Sequence, residues 1–174
     1  PWFLAPDVTG AGVSRDDLLA HRRPLLLVFT NPHCGPCAAL LPRLAEWQQE
    51  LQQELTVACV SSGAPEAVRP EVDEFELTHV LVDEQAGIAE RFGVTGTPGA
   101  VLIEPDGTIA GWAASGAEAI EALVEIARSP RPAPALTVGS SVPARDVRTL
   151  EGELITLDDL RGGGHLGWIA AKNL

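Results

Sequence analysis

Apolar residues in this chain recur at two spacings. Leu25–Phe29 is an unbroken apolar run of strand length, and beyond it Leu40, Leu41, Leu44, Trp47 and Leu51 follow a helical period. This predicts a buried strand over 25–30 and an amphipathic helix over 35–55. Pro42 should kink that helix rather than end it, because the stripe resumes at Leu44. Before the strand, Ser14 followed by Asp16, Asp17 and Leu18 reads as a capped short helix. After the helix, Thr56–Val60 reads as a second strand and Ala64–Leu77 as a weaker helix. His79–Val82 is a short strand, and Asp83 caps a helix running through Phe92, with Gly93 as its stop. Val101–Ile103 and Thr108–Ala110 flank Glu104-Pro105-Asp106-Gly107, a hairpin signal. Ser115 or Gly116 opens a last helix with Ile120, Leu123, Val124 and Ala127 on one face. The order β-α-β-α-β-α-β-β-α predicts an α/β fold, a central mixed sheet flanked by helices.

The pattern changes near residue 129. Three prolines in Ser129–Ala135 favour an extended linker, so the chain divides into a domain over 1–128, a Pro-rich linker over 129–136 and a C-terminal extension over 137–174. In the extension, Gly152–Leu160 echoes Gly12–Leu18: both lead from a strand-like element into Asp-Asp-Leu. The extension therefore reads as the opening of a second domain of the same kind, with chance similarity as the alternative.

Composition narrows the function. With 24 acidic against 12 basic residues, the net charge of −12 and the lack of a basic stripe argue against nucleic acid. No run is long enough to span a membrane. The chain opens Pro1-Trp2-Phe3 and contains no Met, so no signal peptide is visible and the start reads as that of a fragment or trimmed ectodomain.

The candidate chemistry lies between the first strand and the long helix, at Cys34-Gly35-Pro36-Cys37. A strand feeding a helix puts Cys34 at the helix N-terminus, where unpaired N–H groups and the helix dipole favour a thiolate. Cys37 sits one turn further in. That suits thiol–disulfide exchange, Cys34 attacking and Cys37 resolving. A zinc site would need about four ligands. Only Cys59 and four scattered histidines are on offer, with no second CxxC, so no metal or other cofactor is expected. A purely structural disulfide would close too short a loop to constrain the unfolded chain much. Cys59, within Val57–Val60, reads as a buried thiol acting as a small hydrophobe.

The run Leu27–Cys37, Pro42 in the helix and Thr97-Pro98 ahead of a strand together resemble the thioredoxin fold. Phe92–Gly107 looks like its redoxin branch, the TlpA/ResA-like and MauD-like thiol–disulfide oxidoreductases. Residues 61–82 are similar to the helix and strand which that branch inserts. Val138–Pro143 resembles the hairpin that precedes its first strand. The resemblance implies that Pro98 is a cis-proline beside the cysteine pair and that the Thr97 backbone pairs with substrate like an added strand. Gly35 and Pro36 match the dipeptide of reducing thioredoxins. Two positions depart from the pattern. Thioredoxins carry a buried Asp where this chain has Val28, so the proton acceptor for Cys37 must come from elsewhere, with Glu104 or water as candidates. They also carry Trp where this chain has His33, whose imidazolium would favour the Cys34 thiolate.

The resemblance implies an extracytoplasmic setting, periplasmic or in a membrane-anchored ectodomain. It implies protein thiols and disulfides as substrates and a membrane electron donor upstream. For the extension three arrangements stay open: docking along its own sheet, pairing with a second copy of the chain, or remaining mobile. Two other readings stay open. A thiol peroxidase would carry Pro-x-x-x-Thr-x-x-Cys, which the residues before Cys34 do not match. A redox-sensing or docking module would switch shape without turnover.

Overall fold

The computed structural model describes residues 1–129 and, beyond them, the backbone of two short strands. The chain divides into two units, Pro1–Pro130 and Arg131–Leu174.

The first unit opens with an antiparallel hairpin, β1 (Leu4–Pro6) and β2 (Gly12–Ser14), then a one-turn helix α1 (Arg15–Leu18). Ser14 and Asp17 cap that helix reciprocally: the Asp17 amide donates to Ser14 Oγ, and Ser14 N–H and Oγ–H donate to the Asp17 carboxylate. There follow β3 (Leu25–Thr30), α2 (Gly35–Glu50), β4 (Thr56–Ser61), α3 (Pro65–Phe75), β5 (Val80–Val82), α4 (Gly87–Arg91), β6 (Gly99–Ile103), β7 (Ala114–Ser115) and α5 (Ala117–Arg128). The sheet order is β5-β4-β3-β6-β7, with β3 parallel to β4 and antiparallel to β6.

Every residue of β3 is buried, which is why the run is apolar throughout rather than alternating. Leu26 and Val28 pack into the layer built by α2, α3 and α5, while Leu25, Leu27 and Phe29 pack against the hairpin, α1 and α4. The second layer centres on Phe92, whose ring meets Phe3 edge-on at 6.1 Å and Phe29 at 6.3 Å. The hairpin holding Phe3 was not legible in the residue pattern, because its strands are three residues long and only one residue of β1 is buried.

Three expected boundaries shift. The helix expected to reach residue 55 ends at Glu50. Leu51 and Leu55 supply the apolar stripe from a turn instead, in which Leu55 N–H donates to the Leu51 carbonyl and returns the chain to β4. Asp83 is not the cap residue of α4. Ala86, at φ 53°, is, and the Asp83 carboxylate reaches in from outside to accept the Ile88 N–H at 2.7 Å. Thr108–Ala110 forms no strand: Ile109 makes a single bridge to Ile103 and Ala110 N–H donates to the Leu102 carbonyl. The chain then bulges through Gly111–Ala113 before β7 pairs with Gly99 and Ala100. Pro42 lies inside α2 on its exposed face without ending the helix.

In the second unit, β8 (Val147–Arg148) pairs antiparallel with β9 (Leu154–Ile155). Val147↔Ile155 and Arg148↔Leu154 repeat the spacing of Ala5↔Val13 and Pro6↔Gly12. Apart from these strands and Ser129, the expected linker over 129–136 and extension over 137–174 lie outside the described residues, as does any pairing of the extension with a second copy.

Two outcomes follow from this packing. Phe3→Ala, which empties a fully buried position, should lower unfolding free energy in urea by about 3–5 kcal/mol. Although His79 is exposed as a residue, partial desolvation of its imidazole, reinforced by the charge of His21, holds it below its ordinary value. The unfolded chain then takes up a proton that the native state resists. Stability is therefore full above about pH 6.5 and falls as pH drops below it. His79→Gln should flatten that part of the stability–pH curve.

Candidate functional site

Cys34 and Cys37 sit where β3 hands the chain to α2. Asn31 shapes the turn: its Oδ1 accepts the His33 N–H at 2.8 Å, its Nδ2 donates to Ser62 Oγ at 2.9 Å, and its carbonyl accepts the Cys34 N–H at 3.0 Å. Pro32 packs against Gly63, just ahead of α3, leaving no room there for a Cβ, which would meet the Pro32 ring and stand 3.3 Å from Val68 Cγ2. Cys34 is the N-cap of α2, with extended backbone, and Pro36 lies in the first turn, where its missing N–H costs the helix nothing. The Cys37 N–H donates to Cys34 Sγ at 3.2 Å. In the reduced protein that bond and the helix N-terminus favour negative charge on Cys34.

The two cysteines form a disulfide, with Cα atoms 5.2 Å apart. They differ in access: Cys34 is half-buried and Cys37 is 1% exposed. Gly35 and Pro36, between them, are exposed, and so is His33.

The opposite wall comes from the turn between α4 and β6. The Thr97–Pro98 peptide is cis, and Cys34 Sγ lies 3.5 Å from the Thr97 carbonyl oxygen. The fold thus brings Cys34, Cys37, Thr97 and Pro98 together, with His33, Gly35 and Pro36 on the rim. Gly99 is obligatory in this turn: a Cβ there would stand 2.6 Å from a Val94 methyl and 2.7 Å from the Gly96 carbonyl. Gly96 has open space beside it. A concavity of about 530 Å³ runs from Thr97 along Ala86, Ala89, Glu90 and Val94. A larger hollow of about 800 Å³ lies between the N-terminal hairpin and α4, but none of its lining residues belongs to the CxxC loop or the Thr97–Pro98 turn.

Val28 is fully buried and leaves the interior beneath the dithiol without a carboxylate at that position. Glu104 does not replace it. Gly99 pairs with Phe29 at the dithiol end of the sheet, and Ile103 pairs with Leu25 at the other. Glu104 is therefore beyond the far end, more than about 13 Å along the strand from Gly99. A carboxylate that the residue pattern did not single out interacts with His33, next to Cys34. Glu71 on α3 is half-buried and pushed above the usual carboxylate range by burial and by Glu74, while His33 pulls it down. The weak periodicity of residues 64–77 concealed it.

Cys59 is buried in β4, its Sγ 3.1 Å from Thr30 Oγ1. Burial pushes its thiol up to about 11, against the lowering effect of the Thr30 contact. Among the described residues no three His, Cys, Asp or Glu side chains are grouped to hold a metal ion, and no helix is long and apolar enough to cross a membrane.

These features match known proteins. The model of the AhpC/TSA family matches residues 1–111. The methylamine utilization protein MauD of Methylorubrum extorquens is 31% identical over 130 residues, which cover 74% of this chain and 62% of that one. The chain thus spans about three-fifths of the length of the curated relatives it matches. Two solved structures share the fold. One is a secreted Mycobacterium tuberculosis disulfide oxidoreductase homologous to E. coli DsbE, with TM-score 0.59 and 24% identity over 72% of this chain and 93% of that one. The other is the thioredoxin domain of a thiol-disulfide oxidoreductase from Bacteroides vulgatus, with TM-score 0.61 and 20% identity over 72% and 92%.

The three cysteines should separate chemically. In the reduced native protein near pH 8, iodoacetamide should alkylate Cys34 rapidly and leave Cys59 untouched. Cys59 should react only after denaturant is added, as peptide mass mapping would show.

Proposed function

The chain belongs to the AhpC/TSA family, and on that footing we propose that it is a thiol–disulfide oxidoreductase that reduces protein disulfides through Cys34. The observation that carries this reading is the placement of Cys34 Sγ. It is half-accessible, accepts the Cys37 N–H, and lies 3.5 Å from the carbonyl of the residue before a cis-proline.

In the reduced protein the Cys34 thiolate attacks one sulfur of a substrate disulfide. The other sulfur leaves as a thiolate and takes a proton from solvent. The Thr97 backbone aligns the bound segment as an added strand, and the concavity beyond it receives neighbouring side chains. Cys37 then loses its proton and attacks Cys34 Sγ, expelling the second substrate thiolate. Two electrons have passed to substrate, and the protein is left with its Cys34–Cys37 disulfide. The cycle therefore needs an upstream donor of two electrons. That donor is taken to be membrane-borne and the setting extracytoplasmic, a setting in line with the secreted Mycobacterium tuberculosis oxidoreductase that shares the fold. Gly35-Pro36 supports the reducing direction. The peroxidase reading finds no support in the residues before Cys34, since Asn31 and Leu27 stand where its Thr and Pro are required.

The reduction potential of the Cys34–Cys37 couple tests the direction. A value near or below about −270 mV is expected, and one between about −180 and −120 mV would make the protein an oxidant or isomerase. In a dithiothreitol-driven assay, Cys34→Ser should abolish disulfide reduction, and Cys37→Ser should accumulate mixed disulfides visible by intact mass. Full turnover by Cys34→Ser would overturn the mechanism, and rapid peroxide consumption would overturn the choice of substrate.

A further inference from the structure

We propose that Trp112 is a docking contact for the polypeptide whose disulfide is exchanged at Cys34, so that the protein favours segments carrying an apolar side chain near the reacting cysteine. This rests on the oxidoreductase reading and names the kind of substrate it takes.

Trp112 is 92% exposed, against 3% for Trp47 and 53% for Trp2. It tops the bulge between the Ile103↔Ile109 bridge and the Ala100↔Ala114 pair, where three steps along β6 are matched by five on the returning chain. The extra residues push the indole out from the sheet edge. Ile109, 38% exposed, and the exposed Ala113 flank it. Among the described residues it makes no ring contact. A tryptophan held this far into water gains much on burial, since an aromatic side chain covers about 150–250 Å² and dominates the interfaces it joins.

What should cover it follows from continuity with the dithiol. β7 pairs with Gly99, and the Gly116 N–H donates to the Pro98 carbonyl at 2.9 Å. Thr97, the next residue back, reaches Cys34 Sγ. Trp112 is four residues from Gly116, at most about 14 Å. With the steps from Gly116 across to Pro98 and back to Thr97 added, the path from Trp112 to Thr97 is at most about 23 Å, which an extended segment held at Thr97 spans in about seven residues. A polypeptide reacting at Cys34 can therefore reach the indole, whereas a disulfide the size of oxidised glutathione cannot occupy both places.

The test uses the full chain and cysteine peptides carried as mixed disulfides with glutathione. One set bears leucine and the other serine at two to eight positions from the cysteine, on either side. Oxidised glutathione is the small substrate. Wild type should show higher kcat/KM for leucine peptides at a spacing of no more than about seven, by about five- to tenfold. Trp112→Ala should erase that preference and leave glutathione turnover unchanged, and Trp112→Phe should retain part of it. A preference that survives in Trp112→Ala, or that is absent from wild type, overturns the proposal. An equal loss on peptides and glutathione in Trp112→Ala also overturns it, as does a shift in self-association on sedimentation, which would assign the indole to a second copy. Failure of wild type to turn over any disulfide is a different result, and it removes the oxidoreductase reading itself.

Discussion

The pairing of β3 with β6 holds the site together. Phe29 stands opposite Gly99, so the loop leaving β3 and the turn entering β6 emerge at the same end of the sheet. Residues 34 and 97, far apart in the chain, then meet as Cys34 Sγ and the Thr97 carbonyl. Because the side-chain period of a strand is two, a one-residue slip would turn the apolar set of β3 inside out between the two layers it fills. With all six residues buried, such a slip is heavily penalised. The geometry of the dithiol is thus specified by the core beneath it.

One residue type is used in three ways by differences of environment. Cys34 has partial access, a helix N-terminus and an amide donor. Cys37, three residues on, faces inward and is reached through Cys34. Cys59 lies in the interior beside the Thr30 hydroxyl, and burial, with a smaller push from Glu71, keeps its proton on. Desolvation dominates at Cys59, whereas Cys34 stands at a helix N-terminus with an amide donor on its sulfur. Nothing in the covalent chemistry of the thiols distinguishes them.

The β6–β7 edge shows how irregularity can be tolerated near a site. A regular hairpin after Glu104-Pro105-Asp106-Gly107 would have continued along β6 beyond Ala110, whose N–H still meets the Leu102 carbonyl. Instead the strand breaks at Gly111, whose φ of +81° a side chain would disfavour, and pairing resumes two residues out of step. The cost is a shorter ladder, and the result is an exposed indole on the chain that returns along β6.

Much of this architecture was legible in the sequence because it depends on local signals. The apolar run of β3, the stripe of α2, the Ser14–Asp17 cap and Gly116 ahead of α5 each carry their own periodicity or cap chemistry. The CxxC between strand and helix named the reactive pair for the same reason. What stayed hidden depends on contacts between distant segments. The three-residue strands of the N-terminal hairpin owe their place to Phe3 packing on Phe92. Leu51 and Leu55 satisfy a helical stripe from a turn because the core accepts an apolar side chain from either conformation. Glu104 could be a proton acceptor in the sequence because nothing there says which end of the sheet it occupies; the antiparallel register of β6 puts it at the far one. The sequence by itself determined the buried central strands and the longer helices, and marked the cysteine pair between them as the candidate chemistry. Only the tertiary structure decided which of them meet, because register and burial are properties of the packed sheet and not of any one segment.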